Sequence, residues 1–475
     1  MRIAIAAVAV LCLLSYVSNV LSAEPAAKPN IVLIFIDDMG CGDIGPFGNT
    51  QWKTPHLDKF AAEGMKFTSF YATPVCSMSR ACLMTGCYNA RVSIPGVLFP
   101  GSQIGLHPDE LTLAEVAKQQ GYATICVGKW HLGHREPFLP TKQGFDSYFG
   151  IPYSNDMTID PEHARFAKNC LFRDDMTEEK ARAEAIRHKV PLMRGEEVVE
   201  YPADQATLTK RYTAEAVKFI REHRSDPFFI YLPHTMVHLP LAASDEFLGK
   251  SGGGLLGDAI EELDWSVGQI MQTLQDTQLD DKTLVIFTSD NGAAVGSSAP
   301  WRGKKASNYE GGVREPCIMR WPGKIPAGTS CDRIAGNIDV LPTMAKLIGF
   351  EVPKDRVVDG RDITPLMFDP QAEPVRDTHL YFNANQSLAA IRQGDWKFFL
   401  RAPQGGGNAK KAKAAKNDGA QAGPVLYDLK SDPGETINVA EKHPDIAVKL
   451  RGEATRREAE IKENRRPAGQ IASAK

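Results

Sequence analysis

The sequence predicts an α/β protein: a large, mostly parallel, doubly wound sheet flanked by helices, then a smaller C-terminal antiparallel sheet with a helix. Four apolar, β-branched runs show no alternation with polar residues, as is typical of strands buried on both faces of a parallel sheet: residues 29–36, 122–127, 227–232 and 283–288. Segments with helical character alternate with these strands. After Pro374 the pattern changes to short alternating strands, which indicates the second sheet.

Helix boundaries follow from local signals. Thr54-Pro55 begins the first predicted helix, and Gly121 and Gly349 end two others. Apolar residues near helical spacing mark the longest one. The predicted helices cover residues 54–64, 77–85, 111–120, 206–223 and 258–274, with a further strand at 65–71.

These patterns divide the chain into residues 24–374, a large α/β domain, and residues 375–475, a small α+β subdomain. The predicted elements of the subdomain are strands at 379–383, 388–393, 396–401 and 426–429 and a helix at 446–463. Residues 403–423 are rich in Gly, Lys and Ala, which predicts a flexible loop. The polar stretch 156–202 is interpreted as a surface excursion beside the substrate cleft.

Residues 1–23 have the pattern of a secretory signal peptide, with Arg2, an apolar run over 3–14 and small residues ending at Ala23. We therefore expect a secreted or periplasmic protein. An N-terminal membrane helix is the alternative, but the apolar run is short for a bilayer span. No second apolar segment approaches that length, so no membrane span is expected after removal of the signal.

Composition limits the partners. With 475 residues, 43% hydrophobic and 24% charged, the chain is typical of a globular protein, and its net charge of −3 gives no reason to expect nucleic acid or an anionic membrane as partner. Of nine cysteines, Cys12 lies in the signal. The remaining cysteines leave room for one or two disulfides that the sequence does not assign.

Polar side chains follow two of the buried strands. Asp37 and Asp38 come directly after the first strand, and Asp290 and Asn291 follow the strand at 283–288. Parallel strands bring their carboxyl ends to one edge, where α/β sheets bind ligands. Three carboxylates and one amide favour a hard cation, Ca²⁺ or Mg²⁺, over Zn²⁺. An acidic turn with one capping Asp is the alternative.

A cysteine directly precedes the predicted helix at 77–85. Cys76 lies at its N-terminus, where free N–H groups and the macrodipole favour negative charge, and Arg80 follows one turn later. This arrangement suits a nucleophile that acts on an anion. The alternative is a buried thiol with no chemistry, since free Cys is among the most buried residue types.

A cation and a titratable base follow the strand at 122–127. In extended backbone, Lys129 and His131 would project to the same face, a pair suited to binding an oxyanion and moving a proton. Taken alone, a Lys-x-His pair is usually a surface feature.

The run Cys-x-x-Ser-Arg-x-x-Leu-Met-Thr-Gly, from Cys76 to Gly86, resembles the signature of the type I sulfatases of the alkaline-phosphatase superfamily. Met78 stands where that family usually has Pro or Ala. The elements Gly-Lys-Trp-His-Leu-Gly at 128–133, His-Leu-Pro at 238–240 and Tyr-Glu-Gly-Gly at 309–312 are similar to further sulfatase elements in the family's order.

The resemblance implies a sulfuric ester hydrolase of arylsulfatase type. In that family a maturation enzyme oxidises the cysteine to formylglycine, so Cys76 would become the nucleophile. The similar calcium site implies Ca²⁺, with Mg²⁺ less favoured, on Asp37, Asp38, Asp290 and Asn291. The implied substrate is a sulfated small molecule or glycan, and secretion suits the breakdown of sulfated polysaccharides.

The family's pattern also implies roles for individual side chains. Arg80 and Lys129 would stabilise the deprotonated nucleophile, and His131 would act as the base that releases sulfate. His238 would hold the sulfate group and protonate the leaving oxygen, with His234 as its competitor. Counting back from Tyr-Glu-Gly-Gly assigns the sulfate-binding lysine to Lys305, with Lys304 as the alternative.

Two other functions fit parts of the sequence. A phosphatase or phosphodiesterase of the same superfamily would use Zn²⁺ with further His and Asp ligands around a Ser or Thr nucleophile, whereas this chain has a Cys and no His in the predicted metal set. A non-catalytic protein that binds sulfated glycans would result if Cys76 were not matured.

Overall fold

The computed structural model describes residues 28–157, 190–401 and 423–471. The strands are β1 (Asn30–Ile36), β2 (Met65–Tyr71), β3 (Ile104–Gly105), β4 (Ala123–Val127), β5 (Ser147–Gly150), β6 (Leu192–Arg194), β7 (Glu197–Glu200), β8 (Phe228–Pro233), β9 (Thr283–Ser289), β10 (Arg314–Arg320), β11 (Thr329–Cys331), β12 (Ala335–Gly336), β13 (Thr378–Phe382), β14 (Leu388–Gln393), β15 (Trp396–Phe399), β16 (Val425–Asp428) and β17 (Gly469–Gln470). The α-helices are α1 (Pro55–Ala62), α2 (Cys76–Thr85), α3 (Leu113–Gln119), α4 (Leu208–Glu222), α5 (Gly254–Asp276), α6 (Glu310–Val313), α7 (Val340–Ile348), α8 (Thr364–Phe368) and α9 (Pro444–Glu463).

The main sheet has the order β11-β2-β10-β9-β1-β8-β4-β5-β6-β7, with β12 also paired to β2. Its centre, from β9 to β5, is entirely parallel. Strand β10 runs antiparallel to both of its neighbours, and β6 and β7 extend the opposite edge as antiparallel strands. The prediction of a large, mostly parallel sheet is confirmed.

Helices cover both faces of this sheet, as the absence of alternation in β1 predicts. Val32 and Ile34 pack in one core with residues of α1, α4 and α5. Leu33 and Phe35 pack in the other core with residues of α2, α3 and α7. Each of these four side chains is fully buried, and full burial of such a side chain stabilises the fold by roughly 1.5–3 kcal/mol.

The C-terminal part forms the predicted antiparallel sheet, β13-β14-β15-β16, with α9 packed against it. The core beneath this sheet includes Met78 and Cys82 of α2. The second sheet therefore packs against the helix that begins at Cys76, and Ala81, Leu83 and Met84 of the same helix belong to the core of the main sheet. Strand β17 pairs with β3 and ties the end of the described chain to the large domain.

Two stretches differ from the prediction. Residues 192–200, in the stretch interpreted as a surface excursion, form the edge hairpin β6–β7, whose outer strand is largely exposed; these strands were not predicted, and residues 158–189 lie outside the described ranges. Strand β10 was not predicted because its sequence begins Arg-Glu-Pro, which is typical of a polar loop. A bulge between Glu315 and Cys317 accommodates Pro316, which has no N–H to donate.

The seven cysteines of the described ranges are free thiols, so the disulfides that the sequence left open are not present among them. The predicted signal peptide at 1–23 lies outside the described residues, as does the predicted loop at 403–423 apart from Gly423. Among residues 28–157, 190–401 and 423–471, no helix has the length and apolar character needed to cross a bilayer.

Candidate active site

The acidic strand ends meet as the sheet topology requires. Strands β1 and β9 are parallel neighbours with Ile36 opposite Ser289, so the residues that follow them lie at one edge. The backbone N–H of Asp38 donates to Asp290 Oδ1 at 3.1 Å, and Asn291 Nδ2 donates to Asp38 Oδ1 at 2.7 Å. Asp38 adopts a left-handed φ of 63°, which turns its side chain back towards this edge.

Cys76 joins the carboxylates because α2 begins beside the strand ends. One carboxylate oxygen from each of Asp37, Asp38 and Asp290 and the Sγ of Cys76 all lie within 4.8 Å of one another. Cys76 Sγ is 3.5 Å from Asp37 Oδ1. A second such group contains Asp38, Cys76 and His238. The cysteine signature and the predicted metal ligands therefore occupy a single site.

Three cations surround the acidic group. Arg80 donates to Asp290 Oδ2 at 2.8 Å and to the Lys129 carbonyl at 2.8 Å. Lys129 Nζ donates to Asp37 Oδ2. Lys305 Nζ lies 2.6 Å from Asp38 Oδ1 and 3.5 Å from Cys76 Sγ. Arg80 and Lys129 are fully buried, whereas the Lys305 side chain is 16% exposed.

The structure separates the alternatives that the sequence left open. Lys304 turns away from the site, and its Nζ donates to the Gly296 carbonyl at 2.6 Å near the surface. His234 is buried, with Nε2 3.2 Å from Ser266 Oγ. His238 Nε2, in contrast, is 3.7 Å from Asp38 Oδ2. Lys305 and His238 are the members of each pair that reach the acidic group.

The predicted geometry of Lys129 and His131 was wrong in one respect. Strand β4 ends at Val127, and His131 has a left-handed φ of 61°, so the two side chains do not share the face of an extended strand. His131 Nε2 lies 2.9 Å from the Leu98 carbonyl, which can only accept a hydrogen bond. Nε2 therefore carries the hydrogen, and within the described residues Nδ1 has no hydrogen-bond partner.

Sequence reasoning missed Ser154. Its hydroxyl lies 3.2 Å from Lys129 Nζ and 3.3 Å from His238 Nε2, and so bridges two predicted site residues. Ser154 follows β5, a further parallel strand whose carboxyl end reaches the same edge. Recognising β5 as a member of the parallel sheet is the signal that would have led to this residue.

The charges set the protonation of the site. Burial alone would raise the pKa of Asp37, but Lys129, His238 and Arg80 hold it well below its usual value. Burial, and then the charge of Asp37, raise the pKa of Asp290 to about 7. Asp38 also has a raised pKa, chiefly through burial. One of these carboxyls therefore stays ionised while the others hold protons more readily.

The sulfur of Cys76 is a poor nucleophile as it stands. Burial raises the pKa of its thiol to about 12, with Lys129 and Lys305 offsetting only part of that effect. The attacking form of a cysteine is the thiolate. The site therefore surrounds a protonated thiol with anion-binding groups, which does not fit ordinary cysteine catalysis.

The donor set fits a hard divalent cation. Among the described residues, the buried oxygens Asp38 Oδ2 and Asn291 Oδ1 accept no hydrogen bond. Unpaired buried oxygens are costly unless a cation or donor approaches them. Carboxylate and amide oxygens without imidazole are the ligands that Ca²⁺ and Mg²⁺ prefer.

Comparison with known proteins assigns the family. Residues 29–350 match the model of the sulfatase family, and residues 375–473 match the model described as the C-terminal region of aryl-sulfatase. The chain belongs to the sulfatase family. Sulfate ester hydrolysis is the activity that this membership supports, and the chain is a sulfuric ester hydrolase.

Relatives extend over nearly the whole chain. Steryl-sulfatase of Homo sapiens is 35% identical over 495 residues, covering 87% of this chain and 84% of the relative. N-acetylgalactosamine-6-sulfatase of Canis lupus familiaris is 38% identical over 403 residues, covering 79% and 72%. A structure solved for the metabolism of multiple glycosaminoglycans by Bacteroides thetaiotaomicron is 30% identical, with a TM-score of 0.75, and covers 91% of this sulfatase and 99% of that chain.

Proposed function

We propose that this sulfatase is exported and hydrolyses sulfate esters of carbohydrates, using a formylglycine formed from Cys76 and a Ca²⁺ ion. One observation carries the proposal: Cys76 Sγ lies within 4.8 Å of three carboxylates and 3.5 Å from Lys305 Nζ. Asp37, Asp38, Asp290 and Asn291 would hold the ion. Formylglycine in its hydrated form supplies two hydroxyls on one carbon, and bound Ca²⁺ supplies positive charge for a sulfate oxygen.

Two cations act beside position 76. Arg80 and Lys129 are fully buried, so their charges are only weakly screened. They stabilise negative charge on the oxygen that attacks sulfur, because both are held close to the first turn of α2 by Asp290 and Asp37. Preorganised charge of this kind is a large contribution to catalysis.

Lys305 and His238 act on the sulfate group. Both lie against Asp38, and Lys305 is the partly exposed member, so an ester that enters from solvent meets it first. His238 Nδ1 is 2.6 Å from the Leu239 carbonyl and must donate to it, and Nε2 lies 3.7 Å from Asp38 Oδ2 and 3.3 Å from Ser154 Oγ. To act as the acid, His238 would carry a hydrogen on both ring nitrogens; Nε2–H would then pass its proton to the leaving oxygen and the ring would become neutral.

His131 serves as the base for sulfate release. Burial, together with the charges of Lys129 and Arg80, holds its pKa well below the usual value, so the ring is neutral. With Nε2–H committed to Leu98, Nδ1 carries the lone pair that accepts a proton. An unmodified thiol has no second hydroxyl to deprotonate, which is why this step requires the modified residue.

The substrate class rests on the relatives. The canine relative is named for the 6-sulfate of N-acetylgalactosamine, and the Bacteroides structure belongs to glycosaminoglycan metabolism. We extend carbohydrate specificity to this chain on that basis. Residues 1–23 would direct export to the periplasm or medium, and a formylglycine-generating enzyme would act on Cys76 before folding buries this residue.

Mass analysis of the peptide that contains Cys76 tests the nucleophile, because an aldehyde lowers the mass relative to the thiol. Desulfation is then measured on carrageenan, chondroitin, heparan and fucoidan fragments, with a steroid sulfate and an aryl phosphate as controls. We expect the aldehyde, release of sulfate from at least one glycan, and no sulfate release by Cys76→Ser. An intact thiol in active protein, bound zinc with faster phosphate release, or wild-type turnover by Cys76→Ser would contradict the proposal.

A further inference from the structure

The loop that carries Lys305 has little regular structure of its own. In residues 301–312, here named the lysine loop, the regular structure is limited to three of the four residues of the short helix α6. The backbone bonds that hold the loop to the active-site edge include Lys305 N to Ala293 O at 3.1 Å and Ala306 N to Pro74 O at 2.8 Å. One further backbone bond, from Gly311 N to Arg302 O at 2.7 Å, joins the two ends of the loop, and side chains of the C-terminal subdomain add to it.

A buried carboxylate at the end of the lysine loop ties it to the second sheet. Glu310 is fully buried, and donors from both sheets converge on it. Tyr381 Oη of β13 donates to Glu310 Oε1 at 3.0 Å, and Lys397 Nζ of β15 donates to the same oxygen at 2.8 Å. Arg314 Nη1 of β10 reaches Glu310 Oε2 at 3.2 Å. The charge of Glu310 is thus compensated from two different domains.

Glu435 contacts both ends of the lysine loop. The backbone N–H of Glu310 donates to Glu435 Oε2 at 2.6 Å, and Arg302 Nη1 donates to the Glu435 carbonyl at 2.5 Å. Lys397 Nζ lies 2.8 Å from Glu435 Oε1. The backbone of Glu435 has a left-handed φ of 52°, an uncommon conformation for this residue type. One lysine therefore links the two carboxylates that fix the ends of the loop.

We propose that Lys397 and Glu435 of the C-terminal subdomain are positioning residues, which hold the lysine loop in the register that points Lys305, and not Lys304, at the sulfate group. The inference rests on the sulfate-binding role proposed above for Lys305. The register matters because Lys304 Nζ is bound to Gly296 O near the surface, whereas Lys305 Nζ reaches Asp38 and Cys76. Neither Lys397 nor Glu435 contacts these site residues in the described part of the chain.

Lys397 and Glu435 are expected to hold the loop because an unpaired buried charge is costly in free energy. The Lys397 side chain is fully buried between Glu310 and Glu435 and also lies 4.3 Å from the centre of the Tyr381 ring. Without the lysine, Glu310 would keep Arg314, but Glu435 would lose its ion-pair partner among the described residues and would move towards water or take up a proton. Either change would weaken the hold of Glu435 on the ends of the lysine loop.

The test uses the charge-balanced double variant Lys397→Met/Glu435→Gln, which removes one charge of each sign. Its matched control is Arg320→Met/Asp280→Asn, a partly buried ion pair at the far end of β10 whose atoms lie 2.6 Å apart. Tyr381→Phe, which removes one hydrogen bond to Glu310 and no charge, serves if the double variant does not fold. All variants are made in the full chain.

Two quantities are measured: amide hydrogen exchange over residues 301–313, and kcat/KM on an aryl sulfate. We expect Lys397→Met/Glu435→Gln to exchange faster over this peptide and to lose about 10²-fold in kcat/KM, as displacement of a binding group by about 1 Å can cause. Tyr381→Phe should change both quantities in the same direction to a smaller extent. The Arg320→Met/Asp280→Asn control should keep wild-type exchange over residues 301–313 even where its melting temperature falls.

If Lys397→Met/Glu435→Gln matched the control in amide exchange over residues 301–313 and in kcat/KM at equal melting temperature, the network around Lys397 would be merely structural. Faster exchange with unchanged kcat/KM would equally overturn the inference, because the loop would then move without consequence for Lys305. Failure of the proposed function is distinct: the wild-type protein would then lack sulfatase activity, while the exchange measurement would still report whether Lys397 and Glu435 hold the lysine loop.

Discussion

Adjacent lysines with opposite surroundings allow a direct test of the sulfate-binding site. Lys305 Nζ lies 2.6 Å from Asp38 Oδ1 and 3.5 Å from Cys76 Sγ, whereas Lys304 Nζ binds Gly296 O near the surface. We compare Lys305→Met with Lys304→Met, which remove the same charge one residue apart. Loss of one preorganised donor to a transferring group costs about 3–4 kcal/mol, or roughly 10²–10³-fold in rate. Loss of an exposed charge costs about 0–1 kcal/mol.

The assay is the initial rate of sulfate release from an aryl sulfate in excess Ca²⁺. We expect kcat/KM to fall roughly 10²–10³-fold in Lys305→Met and less than about fivefold in Lys304→Met, following those energies. Removal of the cation beside Asp38 should at the same time tighten Ca²⁺ binding, because the lysine and the ion compete for that carboxylate. Equal losses in the two variants, or recovery of Lys305→Met on adding more Ca²⁺, would refute the assignment of Lys305 to the sulfate.

Three further predictions follow from buried groups. Because the pKa of Asp290 is about 7 and only the carboxylate binds a cation, the Ca²⁺ association constant should rise about tenfold per pH unit below pH 7; a flat calorimetric profile there would contradict this. Glu315 is buried, and within the described residues neither of its oxygens accepts a hydrogen bond, so burial, with Asp290 next in effect, raises its pKa well above the usual value. The folded state then holds a proton that the unfolded state loses, and the stability from that proton is lost as pH rises above the unfolded-state pKa. In EDTA, Glu315→Gln should therefore raise the free energy of unfolding in urea by about 1–3 kcal/mol at pH 8 and by less at pH 5. Equal increases in the free energy of unfolding at both pH values would be inconsistent with this reasoning. Ser154→Ala removes the hydroxyl between Lys129 and His238 and should lower kcat by about fivefold if one of its two hydrogen bonds matters and by about 30-fold if both do, at roughly 1 kcal/mol per hydrogen bond; unchanged kcat would disprove this.

Much of the fold could be predicted because the parallel strands are buried on both faces. Continuous apolar runs such as 283–288 leave few alternatives to a central strand, and the positions of Asp37 and Asp290 at strand ends follow directly. Strand β10 could not be predicted in the same way. Its first residues are Arg314, Glu315 and Pro316, and its pairing is decided by neighbours distant in sequence.

The candidate site shows the same division between local and distant causes. The place of Cys76 at a helix N-terminus is a local property and could be predicted from sequence. The contact of Ser154 with Lys129 depends on how β5 packs beside β4, which spacing alone does not reveal. The left-handed turn at His131 was also beyond sequence reasoning, since only Gly is a reliable signal for positive φ.

Charge balance is the reason to expect that this site would need a bound cation before it can take up an anion. Asp37, Asp38 and Asp290 are matched by the three buried or partly buried cations Arg80, Lys129 and Lys305, and each carboxylate has one of them as a partner. With every cation paired, an incoming sulfate ester would have to compete with carboxylates for each donor. A divalent ion held by the same carboxylates would make the site net positive and weaken the hold of Asp38 on Lys305. The lysine would then be available to the ester, which is why the partly exposed cation, and not the two buried ones, is the group we assign to the sulfate.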